Sequence, residues 1–139
     1  MLKLNNNLID EIILSCEQRE LNVAWFHAEE LGDSFGERRA VFLLILQKLL
    51  ESGKFRLKNR ETQQVLQGTI QEQIKLFDLA MPKTGAEIDT PLLKDLSSHP
   101  DLASEAGTGV LMQYWFFDEE CPGDPSWLVE VSEGVSEWS

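Results

Sequence analysis

The stretch from Asp33 to Gly53, DSFGERRAVFLLILQKLLESG, decides the fold of this chain. Asp33 or Ser34 can cap the start of a helix, and Ser34 with Glu37 has the spacing of a capping box. Gly53 stands where the end of a helix favours a residue in the left-handed conformation. The sequence therefore predicts one helix that fills nearly the whole stretch.

The middle of this helix, residues 41–46, reads VFLLIL and is apolar on every face. A helix that is apolar all round is normally buried by neighbours on most sides. The run is too short to cross a bilayer, which needs about 20 apolar residues. We therefore expect a central core helix, with Leu44, Ile45 and Leu46 all largely buried.

Other segments with helical periodicity surround this central helix. Helices are predicted over residues 6–19, 21–31, 69–81 and 92–98, with exposed connections over 83–89 and 101–109. Thr69 and Glu72 form a capping box at the start of the third of these helices, and Pro82 stops it. Cys16 lies on the apolar stripe of the first helix, where a buried thiol behaves as a small hydrophobic residue.

Strands are predicted from alternating or apolar runs in the second half of the chain. Residues 54–58 alternate, with Phe55 and Leu57 facing inward, and Val65 can start a return strand. The apolar run 110–117 is expected to be a buried strand that pairs with 127–131, and a turn at 133–134 leads to a last strand over 135–138. The class is α+β, a single domain over residues 1–139. Its N-terminal helices pack on a small, mainly antiparallel sheet that the C-terminal part largely forms.

Charge is distributed very unevenly along the chain. The net charge is −12. Residues 1–83 hold 12 acids and 11 bases, whereas residues 84–139 hold 12 acids and one base, Lys94. This asymmetry speaks against nucleic-acid binding, which needs a basic surface, and it suits a basic protein partner. The alternative is an acidic surface that only keeps the protein soluble.

No catalytic motif accompanies these elements: the sequence has no glycine-rich phosphate loop, no nucleophile elbow and no Cys-X-X-Cys. His27 and Glu30 have helical spacing for a metal pair, but a third ligand is missing and His99 is far away in sequence. We therefore expect no catalytic residue, no cofactor and no metal. The alternative is an enzyme, or a protein that binds a metal or small ligand, using scattered acids and His27.

The setting expected from the sequence is the cytoplasm. The N-terminal residues contain no secretory signal, and two cysteines far apart, Cys16 and Cys121, do not make a disulfide framework. No segment is apolar enough over a sufficient length to predict a membrane span.

The candidate contact residues for a basic partner are the acids of residues 118–137, namely Asp118, Glu119, Glu120, Asp124, Glu130, Glu133 and Glu137. Glu119, Glu120 and Asp124 flank a Pro-Gly turn, and loop tips are favoured places for contact residues. Trp127 or Trp138 could supply the apolar anchor that a binding surface needs. Aromatic residues are also ordinary core material, so a packing role for both tryptophans stays open.

The order of these features resembles the bacterial family called "domain of unknown function 596". The residues that carry the resemblance are Leu49–Lys54, Phe55–Leu57, Gly68–Ile74, Met81-Pro82, Trp115, Trp127, Glu133-Gly134 and Glu137-Trp138. It covers roughly residues 35–139. The resemblance implies a small cytoplasmic protein of unproved activity. Such proteins look like the small acidic immunity proteins that are encoded beside contact-dependent toxin systems and neutralise a toxin domain. The family offers no catalytic residues to match.

Overall fold

In the part of the chain that the structure describes, the main elements are four helices and a three-stranded antiparallel sheet, which confirms the expected α+β class. The computed structural model describes residues 6–82, 112, 115–117 and 121–138. The elements are α1 Asn6–Cys16, α2 Leu21–Leu31, α3 Phe35–Glu51, β1 Phe55–Lys58, α4 Ile70–Ala80, β2 Asp124–Ser132 and β3 Val135–Trp138. The predicted short helix 92–98 lies outside the described residues.

Helix α3 begins and ends where the sequence predicts. The Ser34 hydroxyl accepts a hydrogen bond from the Glu37 amide, 3.1 Å away, and so caps the first turn. The Glu37 carboxylate accepts from the Asp33 amide at 2.8 Å, one residue before the cap. Gly53, just after the helix, has a φ of +76°. A residue with a Cβ adopts this left-handed conformation only at a cost, so glycine is the natural residue at this end.

Helix α3 supplies the centre of the hydrophobic core. Ile45 and Leu46 are 3% and 0% exposed, as expected, and they pack with side chains from α1, α2, α4 and β1. Leu44 is partly exposed and so is less buried than these two neighbours. Successive helical residues are about 100° apart around the axis. The core therefore covers the side with Ile45 and Leu46 and leaves Leu44 at its margin.

Local signals also set the limits of the other helices. Thr69 and Glu72 form both hydrogen bonds of the predicted capping box at the start of α4. Helix α1 ends at Cys16, earlier than the predicted residue 19. Gln18 has a φ of +60°, and a left-handed residue cannot continue a right-handed helix. Among the described residues, no helix is long and apolar enough to cross a membrane.

The aromatic run 110–117 was predicted as a strand, and this prediction was wrong where the structure describes it. Met112 and Trp115 have helical conformation, and Phe116 follows in a turn. These three residues are buried and have the i, i+3, i+4 spacing of one helix face. A continuous apolar run cannot by itself distinguish a buried strand from a buried helix.

Strand β2 pairs with β1, and the described residues of the segment 110–117 form no strand beside it. The register places Phe55 opposite Trp127, and Lys58 opposite Asp124. Val65 forms only an isolated bridge to Lys58, so the expected return strand is a single pair. The order of strands in the sheet is β1-β2-β3.

The β2–β3 hairpin turns at the predicted residues 133–134, and Gly134 has the left-handed φ of +76° that a tight turn requires. Leu128 lies opposite Trp138, and Val129 lies opposite Glu137. The first half of β2 therefore belongs to the sheet with β1, while its second half pairs with β3 and extends beyond β1.

Candidate functional site: the acidic C-terminal arm

The distal part of the β2–β3 hairpin, residues 130–137, forms a projecting ribbon that we call the acidic arm. All eight of its residues are exposed. It carries three carboxylates and two large apolar side chains: Glu130, Glu133, Glu137, Val131 and Val135. The two valines are 56% and 48% exposed. The arm therefore combines negative charge with apolar surface, and it contains no lysine or arginine.

The carboxylates of the acidic arm are divided between its two faces. Val129 lies opposite Glu137, and Glu130 lies opposite Ser136. Cross-strand neighbours share a face, and successive residues alternate between faces. Val129 packs against the core, so Glu137 lies on the core side of the ribbon and Glu130 on the outer side. Glu133 lies in the turn, and Glu130 also accepts a hydrogen bond from the Gly134 amide at 3.3 Å.

Trp127 anchors the base of this hairpin in the core. It is 6% exposed, and its ring meets the Phe55 ring edge-on, with ring centroids 4.8 Å apart. Its indole Nε1 donates a hydrogen bond to the carbonyl oxygen of Arg19 at 2.9 Å. Of the two candidate anchors, Trp127 is thus the one that packs in the core of the protein.

Asp124 is held in an ion pair at the start of β2. Its Oδ1 lies 2.7 Å from Nη2 and 3.0 Å from Nε of Arg60, and the same Nη2 donates to the carbonyl oxygen of Phe116 at 2.6 Å. Both charged side chains are 28% exposed. Because its charge is already neutralised by a partner, Asp124 offers less negative potential than the carboxylates of the acidic arm.

Trp138 is half-buried at the end of β3 and lies under a cation. The guanidinium carbon of Arg56 is 4.1 Å from the centre of the Trp138 ring, a cation–π contact. The Nε of Arg56 is buried and has no hydrogen-bond partner. This contact joins β1 to β3 across β2, at the base of the acidic arm.

Asp118, Glu119 and Glu120, three of the predicted contact residues, lie outside the described residues. Three further predicted acids, Glu130, Glu133 and Glu137, lie on the exposed hairpin. The sequence contained a signal for this arrangement, because Glu133-Gly134 predicts a turn and the flanking strand residues are acidic.

A cleft beside the ion pair was not predicted from the sequence. It encloses about 430 Å³, and its walls include Lys58, Gln63 and Phe117 together with the Arg60–Asp124 pair. Within the described part of the chain, the Lys58 amine makes no ion pair or hydrogen bond. The charges of the described lining residues are mixed, and none of these residues is a nucleophile with an adjacent base, so they indicate no reaction class.

His27, the residue named in the alternative metal or enzyme hypothesis, contacts a hydroxyl group on α1. The Nε2 of His27 lies 2.9 Å from the Ser15 hydroxyl, which joins α2 to α1. Among the described residues there is no group of three His, Cys, Asp or Glu side chains that could hold a metal ion. Cys16 is buried, and burial raises the pKa of its thiol to about 11, so it is a poor nucleophile.

Comparison with known proteins identifies the family. No curated protein matches the sequence. Among solved structures, the fold is similar to that of an uncharacterized protein conserved in bacteria, from Neisseria meningitidis, with a TM-score of 0.65 at 17% sequence identity. The match covers 95% of this chain and 87% of that one, and at this identity it shows a shared fold only. Residues 50–139 match the family model described as a protein of unknown function, DUF596, and this chain belongs to that family.

Proposed function

We propose that this protein is a non-catalytic binding module that takes a basic protein partner on its acidic arm. The observation that carries the proposal is the run of eight exposed residues, 130–137, which holds three carboxylates and two exposed valines without any base. Charge complementarity accelerates the encounter of two proteins, and exposed apolar side chains supply contact area once they have met.

The distribution of the remaining charge supports the same choice of partner. Asp124 is paired with Arg60, whereas no base lies within the arm to neutralise Glu133 or Glu137. Unpaired surface carboxylates attract a basic surface over about one Debye length, roughly 8 to 10 Å at physiological salt. In this proposal Trp127 and Asp124 hold the hairpin in place, and Trp138 provides the aromatic margin of the contact surface.

The finer form of the proposal is an immunity-type inhibitor. A small acidic protein that covers the basic active site of a toxin domain would block access of the substrate to that site. The acidic arm suits this task because it projects from the sheet and exposes charge on both faces. The partner would then be a cognate toxin with a basic surface, and the inhibitor would need no catalytic residue of its own.

The test is partner capture from the native host, followed by binding kinetics with two matched variants. The first variant carries Glu130→Lys, Glu133→Lys and Glu137→Lys. The second, the control, carries Glu11→Lys, Glu30→Lys and Glu61→Lys, three carboxylates that are exposed elsewhere on the chain. Three reversals of +2 each take the net charge from −12 to −6 in both variants.

The arm variant should associate with the captured partner about tenfold more slowly than the control at low salt, and added salt should slow the wild type. An acidic partner, or equal rates for the two variants, would contradict the proposal. For the finer role, the wild type should protect cells that express the partner, and the arm variant should protect them less.

A further inference from the structure

In the part of the chain that the structure describes, the two edges of the sheet differ in how far their outward backbone groups are paired. The outer edge of β1 is partly occupied, because Lys58 bridges to Val65 and the Leu66 amide donates to the carbonyl oxygen of Leu57 at 2.9 Å. Strand β3 pairs with β2 on one side, and no described residue pairs with its other side. An edge strand presents every second amide and carbonyl outward, ready to pair with another strand.

The acidic arm is also a two-stranded ribbon, and such a ribbon is only marginally stable alone in water. Residues 124–127 of β2 pair with β1, and the Leu128 amide still donates to the Lys54 carbonyl oxygen at 3.0 Å, whereas residues 129–132 pair with β3 and with no other described strand. Val131 and Val135 are exposed on this part of the hairpin. A third strand added beside β3 would pair the outward backbone groups and cover apolar surface that is exposed here.

The charges of the arm select which strand can be added. Glu137 lies on one face and Glu130 on the other, with Glu133 at the turn. Of these carboxylates only Glu137 lies on β3, so it is the one beside an added strand. A second copy of this chain paired there would bring its own Glu137 towards this one, and like charges opposite each other destabilise a sheet. An extended segment rich in lysine or arginine would place opposite charges there instead.

We infer that β3 binds an extended, basic segment of the partner protein as an added fourth strand of the sheet. This inference rests on the proposed function and specifies its mode of binding. Acidic residues on an edge strand are a common protection against aggregation, because they repel acidic or identical strands. Because the same carboxylates attract a basic strand, they favour a basic binding partner. The same side chains thus protect the edge against aggregation and select the strand that can bind.

The experiment uses the full chain and a capped synthetic peptide of alternating lysine and valine. Affinity is measured for this peptide and for three N-methylated forms: methyl groups on the lysine amides, on the valine amides, or on all amides. N-methylation removes the donor and blocks pairing on that edge of the peptide while the charge stays the same. Amide hydrogen exchange of residues 135–138 is followed with and without peptide.

Strand addition predicts that at least one half-methylated peptide binds like the unmodified one, and that the fully methylated peptide binds at least tenfold more weakly. Alternate amides of β3 should exchange more slowly when the unmodified peptide is bound. The variant Glu130→Lys, Glu133→Lys, Glu137→Lys should lose the peptide, and the variant Glu11→Lys, Glu30→Lys, Glu61→Lys should keep it.

Any of four results would overturn the inference. If all four peptides bind equally and only the arm variant weakens them, the arm binds basic segments without strand pairing, and the proposed function stands. If no peptide binds at about 1 mM, or if binding survives in the arm variant, β3 is not the site. If the protein alone self-associates and protects β3 amides, the added strand comes from a second copy. The proposed function itself is tested separately, by the association kinetics with the captured partner.

Discussion

The indole Nε1 of Trp127 donates a hydrogen bond to the backbone carbonyl of Arg19, 108 residues earlier in the chain, over 2.9 Å. Arg19 follows the left-handed residue Gln18, which ends the first helical region. A strand from the C-terminal part of the chain is thereby tied to the turn between α1 and α2. The contact explains why the hairpin has a fixed base although its distal part is exposed.

The substitution Trp127→Phe should therefore destabilise the protein. It removes the donor to Arg19 while keeping an aromatic ring beside Phe55, so we expect a loss of about 1–3 kcal/mol from the hydrogen bond and the smaller ring. Urea unfolding measures it. Trp138→Phe is the control, with a smaller loss expected because that ring is only half-buried. A larger loss for Trp138→Phe than for Trp127→Phe would contradict this account of the hairpin base.

The core position Leu46 gives a second stability prediction. The side chain is 0% exposed at the centre of α3, so Leu46→Ala should cost about 2–5 kcal/mol through lost burial and a cavity. The same substitution at Leu79, which is 65% exposed on α4, should cost less than about 0.5 kcal/mol. Urea melts of the two variants make the comparison. Equal losses would show that α3 is not the centre of the core.

Much of the fold was predictable because its signals are local. The capping box of Thr69 and Glu72, the alternation of Phe55 and Leu57, and the turn at Gly134 each depend on residues within a few positions of one another. Such signals need no knowledge of the tertiary structure. The segment with Met112 and Trp115 was predicted wrongly because its apolar run satisfies a strand and a buried helix equally well.

The candidate site was less predictable, since its contacts join distant parts of the sequence. Arg60 and Asp124 are 64 residues apart, so nothing local reveals that this carboxylate is paired. Trp127 and Trp138 look alike in sequence as possible anchors. Only the register of β2 between β1 and β3 determines which ring faces the core and which lies beneath Arg56.

The raised pKa of the Cys16 thiol leads to a prediction of how the free energy of unfolding changes at high pH. Burial raises the pKa of this thiol from 9.0 to about 11, with a smaller opposing effect from Arg19. Because the pKa is raised on folding, the stabilisation is complete below pH 9.0 and is lost as the pH rises through about 11. The loss relative to Cys16→Ala should reach about 2 kcal/mol near pH 11.

Urea melts of the wild type and Cys16→Ala at pH 8 and at pH 10.5 test this sign. The difference between the two proteins should change with pH in the direction that disfavours the wild type at the higher pH. The comparison cancels the titration of lysine and tyrosine residues that both proteins share. A pH-independent difference would show that the thiol does not ionise on unfolding in this range.

Substitutions in the Arg60–Asp124 pair test whether Asp124 stabilises the fold or contacts the partner. Asp124→Asn leaves a guanidinium that is only 28% exposed without its carboxylate, so we expect a loss of about 1–2 kcal/mol. Arg60→Gln should cost a similar amount. Since the two side chains share their hydrogen bonds, the double variant should cost about 1 kcal/mol less than the sum of the single losses. Urea unfolding of the four proteins gives this coupling directly.

The same variant carries a kinetic expectation for the captured basic partner. The charge of Asp124 is already matched by Arg60, whereas Glu137 is exposed on the acidic arm without a base beside it in the arm. Asp124→Asn should therefore slow association less than Glu137→Gln, although each removes one negative charge. Additive stability losses would deny the structural role of the pair. If Asp124→Asn slowed association as much as Glu137→Gln, Asp124 would belong to the contact surface, and the centre of the interface would lie nearer the base of the hairpin.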